Sequence, residues 1–195
     1  MAGSQSPNYF LAIQVSDEKI KQNIQEVQSF MRAKNRNLSN TMESLDTLHI
    51  TLGLYCLENE EVSEAKRALE GFQSSLSNFS PLTFTVSTIG NFGDQVIFAA
   101  MTENQRLKNL VEALRGSFQN RGLLVTDERF NPHVTICKIT GRSRDRGIYG
   151  INPSDYREKA STYFGKQHAR SIQLCSMAKP RSESGYYHVE KEIYF

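Results

Sequence analysis

The sequence has few cysteines, and their arrangement suggests no structural role. Cys56, Cys137 and Cys175 are odd in number and include no CxxC pair. Such a set speaks against both a disulfide framework and a zinc knuckle, and it is typical of a reducing intracellular compartment. We therefore expect neither structural disulfides nor a bound metal.

Long hydrophobic runs and recognisable cofactor motifs are also absent. No apolar stretch reaches the roughly 18 residues that a membrane helix needs, and residues 1–7 lack the features of a signal peptide. There is no Walker phosphate loop and no dinucleotide fingerprint, which excludes ATP-driven and redox chemistry as first hypotheses. The formal net charge of +2 permits an anionic substrate without indicating a wide nucleic-acid surface. We expect a protein with no membrane contact and no cofactor.

The hydrophobic periodicity of the sequence predicts both strands and helices. Strands are predicted at 9–15, 48–57, 82–89, 95–101, 133–139, 171–177 and 186–194. Amphipathic helices are predicted near 20–31, 62–76 and 107–118, with a shorter helix after Pro153 and a loop over 141–150. No linker divides the 195 residues. The pattern predicts an α+β fold, a single domain over 1–195 made of two intimately packed lobes.

Two of the predicted strands carry the same short motif. LHITL places His49 and Thr51 two residues apart, and HVTI repeats the spacing in His133 and Thr135. Side chains at i and i+2 of a strand point to the same face, so each strand presents an imidazole beside a hydroxyl. The apolar residues between them face the opposite way and can anchor the strand.

If the two strands meet, these four groups can surround a phosphate. Two threonine hydroxyls can donate to its nonbridging oxygens, while two imidazoles flank the attacking and leaving oxygens. A neutral histidine can take a proton from water or a ribose hydroxyl, and a protonated histidine can donate a proton to the leaving oxygen. The motif pair therefore predicts metal-independent acid and base catalysis at a phosphate ester, by His49 and His133 with Thr51 and Thr135.

Two plainer interpretations compete with this one. A single histidine on a strand is more often a hydrogen-bonded structural residue, although the recurrence of the whole HxT pattern favours function. Two histidines can also belong to a metal site, but no carboxylates or cysteines stand at suitable spacing to complete it.

Several motifs in order resemble the 2H phosphoesterase superfamily, which is named for its two HxT or HxS histidines, and within it the subgroup of A-kinase anchoring proteins. The matching segments are PNYF at 7–10, LHITL at 48–52, IGNFGDQVIF at 89–98, NPHVT at 131–135, LCSMAK at 174–179 and GYYH at 185–188. The resemblance covers residues 7 to about 190. It implies a bilobal fold with two antiparallel-rich sheets and flanking helices around a central groove.

The resemblance also implies a substrate class. Members of the subgroup cleave 2′,5′-oligoadenylate and others open 2′,3′-cyclic phosphates on nucleotides or RNA ends, so we expect an oligonucleotide or nucleotide partner, with AMP as a product-like ligand. A nucleotide sensor that has lost turnover is the alternative from a different class. The resemblance implies a location in the cytoplasm, the nucleus or both. Kinase anchoring is not expected, because the chain ends in the strand-like EKEIYF without an amphipathic helix.

Further residues are candidates for substrate contacts. An exposed tyrosine of the Tyr186 and Tyr187 pair could stack on a base, since adjacent strand residues face opposite ways. The remaining candidates are aromatic or polar residues near the matched motifs: Phe10, Phe130, Ser176, Lys179 and, in the arginine-rich loop, Arg142. Core packing for the aromatics and a solvated loop for the arginine are the competing interpretations.

Overall fold

A computed structural model describes residues 6–195 of the chain. The strands are β1 Tyr9–Gln14, β2 His49–Tyr55, β3 Thr83–Phe92, β4 Val96–Met101, β5 His133–Lys138, β6 Tyr163–His168, β7 Ser171–Ser176 and β8 His188–Tyr194. The helices are α1 Glu18–Lys34, α2 Asn59–Leu76, α3 Gln105–Gln119 and the single turn α4 Gly141–Arg144. These elements confirm the predicted α+β class and most of its element order.

The strands form two antiparallel sheets of four. The first has the order β2-β1-β7-β8 and the second the order β5-β4-β3-β6. Both ends of the chain contribute to the first sheet, because β7 pairs beside β1. The two HxT strands, β2 and β5, are each the edge strand of a different sheet, and they lie next to each other where the sheets meet. The fold therefore brings together two motifs that are far apart in sequence.

The helices cover the sheets with their apolar stripes. In α1 the Asp17 side chain accepts a hydrogen bond from the Ile20 amide at 3.0 Å and caps the helix. The buried stripe of α1 packs against β5 and β6 of the second sheet. Helix α2 packs against β7 and β8 of the first sheet and against α3. One cluster of buried residues includes side chains from both sheets.

The segment 151–168 differs from the prediction. Instead of one short helix after Pro153, the chain makes two single 3-10 turns, Pro153–Asp155 and Arg157–Lys159, and then the strand β6. The sequence of β6, YFGKQH, has too few apolar residues to signal a strand, and it forms because β3 offers a free edge. The predicted loop over 141–150 also contains the turn α4.

None of the helices found between residues 6 and 195 has the length and apolar character needed to cross a membrane.

Candidate active site

The two HxT motifs share one side-chain pattern in the structure. Ile50 and Leu52 on β2 are fully buried, and so are Val134 and Ile136 on β5. The alternate residues, His49 and Thr51 on β2 and His133 and Thr135 on β5, are only half-buried and line the space between the strands. We call this space the groove. The predicted convergence of the four side chains is what the fold produces.

The segment 41–43, which precedes β2, forms hydrogen bonds to the edge strand β5 of the second sheet. The Glu43 amide donates to the Ile136 carbonyl at 2.9 Å, and the Lys138 amide donates to the Thr41 carbonyl at 2.8 Å. Gln28 on α1 donates through Nε2 to the carbonyls of both Glu43 and Ile136, at 2.8 and 3.0 Å. These bonds satisfy the β5 edge, which would otherwise be unpaired, and fix its position relative to β2.

Both imidazoles are oriented by the backbone in the same way. Nδ1 of His49 lies 2.7 Å from the Thr47 carbonyl oxygen, and Nδ1 of His133 lies 2.6 Å from the Asn131 carbonyl oxygen. A carbonyl can only accept a hydrogen bond, so Nδ1 carries the proton in each neutral ring. Nε2 then keeps its lone pair and is available to a ligand. Each histidine is prepared to act as a base through Nε2.

Burial lowers the pKa of both histidines. For His49 desolvation is the main cause, and it outweighs the opposing effects of the Thr47 carbonyl and the Glu43 carboxylate, while Lys138 and His133 lower the pKa further. For His133 desolvation is again the main cause, opposed by the Asn131 carbonyl. Both rings are therefore mostly neutral at pH 7. A bound phosphodiester anion would raise both pKa values and allow one ring to become the acid.

Each imidazole also contacts two aromatic rings. Phe10 and Tyr187 lie 4.9 and 5.4 Å from His49, measured between ring centroids. Phe92 and Phe98 each lie 5.0 Å from His133. These aromatic contacts restrict the orientations of both imidazole rings.

Phe92 and Phe98 were not among the predicted site residues, although both lie in the hairpin motif that resembles the family. No local sequence signal indicates them, because it is strand pairing that places Phe98 opposite Thr135 on β5. Gly90 makes room for this ring, since a Cβ there would meet Phe98 at 2.5 Å.

The groove contains two adjoining cavities that share Thr51 and Leu54. The cavity on the His49 side measures about 390 Å³, and the cavity on the His133 side about 500 Å³. Each is within the size range of small-molecule sites. The residues around the first are Phe10, Glu43, Thr47, Leu48, His49, Thr51, Leu54, Thr135, Lys138, Met177 and Tyr187. The arrangement has room for a nucleoside on either side of a central phosphate.

Two arginines line the His133 side. Arg115 on α3 donates through Nε to the Leu52 carbonyl and through Nη1 to the Glu128 carbonyl, both at 2.9 Å, and lies 5.6 Å from the Phe130 ring. Arg129 pairs with Asp127 and is largely exposed. No sequence pattern indicated Arg115, because a basic residue on a helix surface is ordinary until the fold places it.

Some of the residues predicted to contact substrate line the groove, and others do not. Phe10, Phe130 and Tyr187 line the groove cavities. Tyr186 does not, because its ring is buried beside Cys175 in a small core cluster. Tyr187 is thus the member of the pair that faces the ligand space.

Three further candidates lie away from the lining of the groove cavities. Ser176 is buried, and its hydroxyl accepts hydrogen bonds from the amides of Ala178 and Lys179. The Lys179 ammonium pairs with the Glu190 carboxylate. Arg142 is exposed on the turn α4. Substrate contacts by these residues stay predictions.

The part of the chain described by the structure holds no cluster of three or more His, Cys, Asp or Glu side chains that could bind a metal ion.

Comparison with known proteins identifies a matching family and a related protein. Residues 7–195 match the family model described as the AKAP7 2′5′ RNA ligase-like domain. The chain is 34% identical over 197 residues to human A-kinase anchor protein 7 isoform gamma, and the match covers 96% of this chain and 57% of that protein. The chain thus spans a little over half of the curated relative's length.

Solved structures share the fold at lower identity. The crystal structure of TT0787 of Thermus thermophilus has a TM-score of 0.68 at 18% identity, covering 96% of this chain and 97% of that one. E. coli LigT complexed with 3′-AMP has a TM-score of 0.64 at 17% identity, covering 97% and 98%. The MHV ns2 PDE domain has a TM-score of 0.63 at 12% identity, covering 88% and 99%.

Proposed function

The chain belongs to the AKAP7 2′5′ RNA ligase-like domain family, and from that premise we propose that it is a metal-independent phosphodiesterase for short 2′,5′-linked oligonucleotides, with 2′,5′-oligoadenylate as the substrate. The observation that carries the proposal is the pair of backbone-oriented imidazoles, each with Nε2 available at one shared groove. The flanking threonines complete a site for one phosphate.

The proposed reaction uses both rings in opposite roles. The Thr51 and Thr135 hydroxyls donate to the nonbridging oxygens of the phosphodiester and hold it between the imidazoles. One neutral imidazole takes a proton through Nε2 from the attacking water or ribose hydroxyl. The other, protonated once the anion is bound, donates its proton to the leaving ribose oxygen. The P–O bond to the leaving group breaks as the new P–O bond forms, and the two rings end in exchanged protonation states.

The shape of the groove supports a substrate with a nucleoside on each side of the phosphate. Aromatic rings stand beside both histidines, and bases stack on such rings with about 1 to 3 kcal/mol per base. Arg115 adds positive charge on the His133 side, whereas the charge of Arg129 is offset by its partner Asp127; the charge of Arg115 favours an anionic oligonucleotide. We propose that the chain acts on such substrates in the cytoplasm or the nucleus.

A second enzymatic function is hydrolysis of 2′,3′-cyclic phosphates on nucleotides or RNA ends. It needs the same two imidazoles but only one nucleoside subsite, and the fold neighbour LigT was crystallised with the mononucleotide 3′-AMP. A third candidate, from another class, is a sensor that binds AMP in the groove without turnover. Kinase anchoring is not part of the proposal for this chain.

A comparison of three substrates tests the proposal. Purified protein in EDTA is incubated with 2′,5′-triadenylate, 3′,5′-triadenylate and 2′,3′-cyclic AMP, and products are followed by chromatography. We expect the 2′,5′ linkage to be cleaved at least tenfold faster than the other two. Faster opening of the cyclic phosphate would favour the second function, and tight AMP binding by calorimetry without any product would favour the sensor.

A further inference from the structure

The His49-side cavity has a charged end that the proposed chemistry does not use. Glu43 and Lys138 line this cavity together with His49 and Thr51. The Glu43 side chain is 10% exposed and that of Lys138 is 45% exposed, and Nζ of Lys138 lies 3.4 Å from Oε2 of Glu43. A largely buried carboxylate in a ligand cavity is costly to keep unless its oxygens find hydrogen-bond donors.

The carboxylate of Glu43 is held in place from several directions. Its backbone is bonded to Ile136 and to Gln28, as described above, and its Oε1 accepts the Thr47 hydroxyl at 2.6 Å. Each carboxylate oxygen can accept two hydrogen bonds. The Thr47 hydroxyl supplies one at Oε1, and Lys138 faces Oε2 as an ion-pair partner. Acceptor capacity is therefore left on a group that cannot easily turn away. The pair presents a fixed acceptor beside a mobile donor.

The same cavity has an aromatic wall. Phe10 and Tyr187 lie 4.9 Å apart in an edge-to-face arrangement, and both contact His49. Phe10 is only 2% exposed, so of these two rings it is Tyr187 on which a planar ligand can stack. A nucleotide whose phosphate is held by Thr51 and Thr135 would place its base within this cavity, and the polar edge of the base would meet Glu43 and Lys138.

We infer that Glu43 and Lys138 read the base on the His49 side and select one with an exocyclic amino group beside an acceptor ring nitrogen. Adenine and cytosine have this edge: the amino group donates to Glu43, and the ring nitrogen accepts from Lys138. Hypoxanthine and uracil carry a carbonyl at the position of the amino group, which would face the carboxylate and be repelled. This inference rests on the proposed function for its substrate and adds the two residues that recognise the base.

Inosine, whose base is hypoxanthine, provides a sharp test. Hypoxanthine has the carbonyl oxygen O6 where adenine has its amino group, and a protonated N1 where adenine has an acceptor nitrogen. Cleavage of 2′,5′-triadenylate is compared with that of 2′,5′-triinosinate, and binding of AMP with that of IMP by calorimetry. We expect the wild-type protein to prefer adenine by about tenfold to a hundredfold in kcat/KM and in Kd, the discrimination typical of a good two-point base contact.

The variants separate base reading from general electrostatics. Glu43→Gln keeps the side-chain shape but offers an amide that can donate to O6, so the adenine preference should fall to within about threefold. Loss of the Glu43 charge also affects His49, but it changes kcat for both substrates alike, so the ratio is the readout. Glu158→Gln is the matched control: Glu158 pairs with Lys34 at 2.5 Å on an exposed surface, and its loss should leave the ratio unchanged.

The outcomes distinguish this inference from the proposed function. A wild-type protein that cleaves or binds both bases within about twofold overturns the inference while leaving the phosphodiesterase intact. Full adenine preference in Glu43→Gln overturns it as well. The AMP and IMP affinities need no turnover, so an inactive protein that still prefers AMP, and loses the preference in Glu43→Gln, would reject the proposed function and support the base-reading pair.

Discussion

Removal of the two imidazoles, singly and together, is the perturbation whose size the structure determines best. In the proposed mechanism, His49→Ala and His133→Ala each delete one proton-transfer group and leave the Thr51 and Thr135 hydroxyls in place. A positioned proton transfer typically contributes about 10² to 10⁴ in rate, which corresponds to about 3 to 5 kcal/mol of transition-state stabilisation. We expect each single variant to lose that much kcat, with KM within about threefold of the wild-type value.

The double variant should lose little more than the worse single variant. The two proton transfers belong to one reaction. A ring that accepts a proton therefore accelerates the reaction little when no partner ring donates a proton to the leaving oxygen. The assay is the initial rate of 2′,5′-triadenylate cleavage at pH 7 in EDTA. His168→Ala is the control, because His168 is exposed and bonded to Thr83, and it should keep full activity.

Two results would refute this reasoning. One is a single variant that keeps more than about a tenth of the wild-type rate, which would mean that its ring transfers no proton in the slow step. The other is a double variant whose loss is the full product of the two single losses, which would mean that the rings act independently. Circular dichroism of each variant checks that the fold is retained.

Three further predictions concern stability, support and binding. Burial lowers the pKa of His49 in the folded chain, so as the pH falls His49 takes up its proton first in the unfolded chain, near pH 6.5. The free energy of unfolding should therefore fall as the pH drops from 7 to 5. His49→Asn should weaken this pH dependence in urea titrations, and an unaltered dependence would contradict the prediction. Arg115→Ala should lower the free energy of unfolding by about 1 to 3 kcal/mol, because two backbone carbonyls lose a charged donor; an unchanged urea midpoint would show that water replaces it. Tyr187→Ala should weaken AMP binding by about 1 to 3 kcal/mol in calorimetry, whereas Tyr187→Phe should bind normally, and equal weakening in both would shift the role from the ring to the hydroxyl.

Much of the fold could be predicted from local pattern. The apolar spacing of α1, α2 and α3 and the alternation in β2 and β5 are properties of short stretches, and the structure confirms them. The 2H phosphoesterase resemblance and the α+β class are likewise confirmed, by the family match and by the two antiparallel sheets. What short stretches could not reveal is pairing, such as β7 beside β1.

Groove residues could be predicted where they lie in the repeated HxT motif or near a segment that resembles the family. The doubled HxT spacing indicates His49 and His133, but Glu43 and Arg115 have no sequence signal. Glu43 enters the groove because the segment before β2 pairs with the β5 edge, and Arg115 because α3 packs beside β2. Both placements depend on tertiary contacts between distant segments. The missed strand β6 has the same cause, since its partner supplies the structure that its own sequence does not specify.

The central claim is that His49 and His133 act on one bound phosphate through Nε2. Long-range proton–nitrogen correlation spectra of ¹⁵N-labelled protein, recorded while AMP is added at pH 7, test it most directly. Before addition, both rings should show a protonated Nδ1 and a bare Nε2, because Nδ1 donates to a carbonyl in each. On addition, both Nε2 signals should move toward the protonated position along a single saturation curve. A response from one ring only, or two curves with different midpoints, would contradict the account.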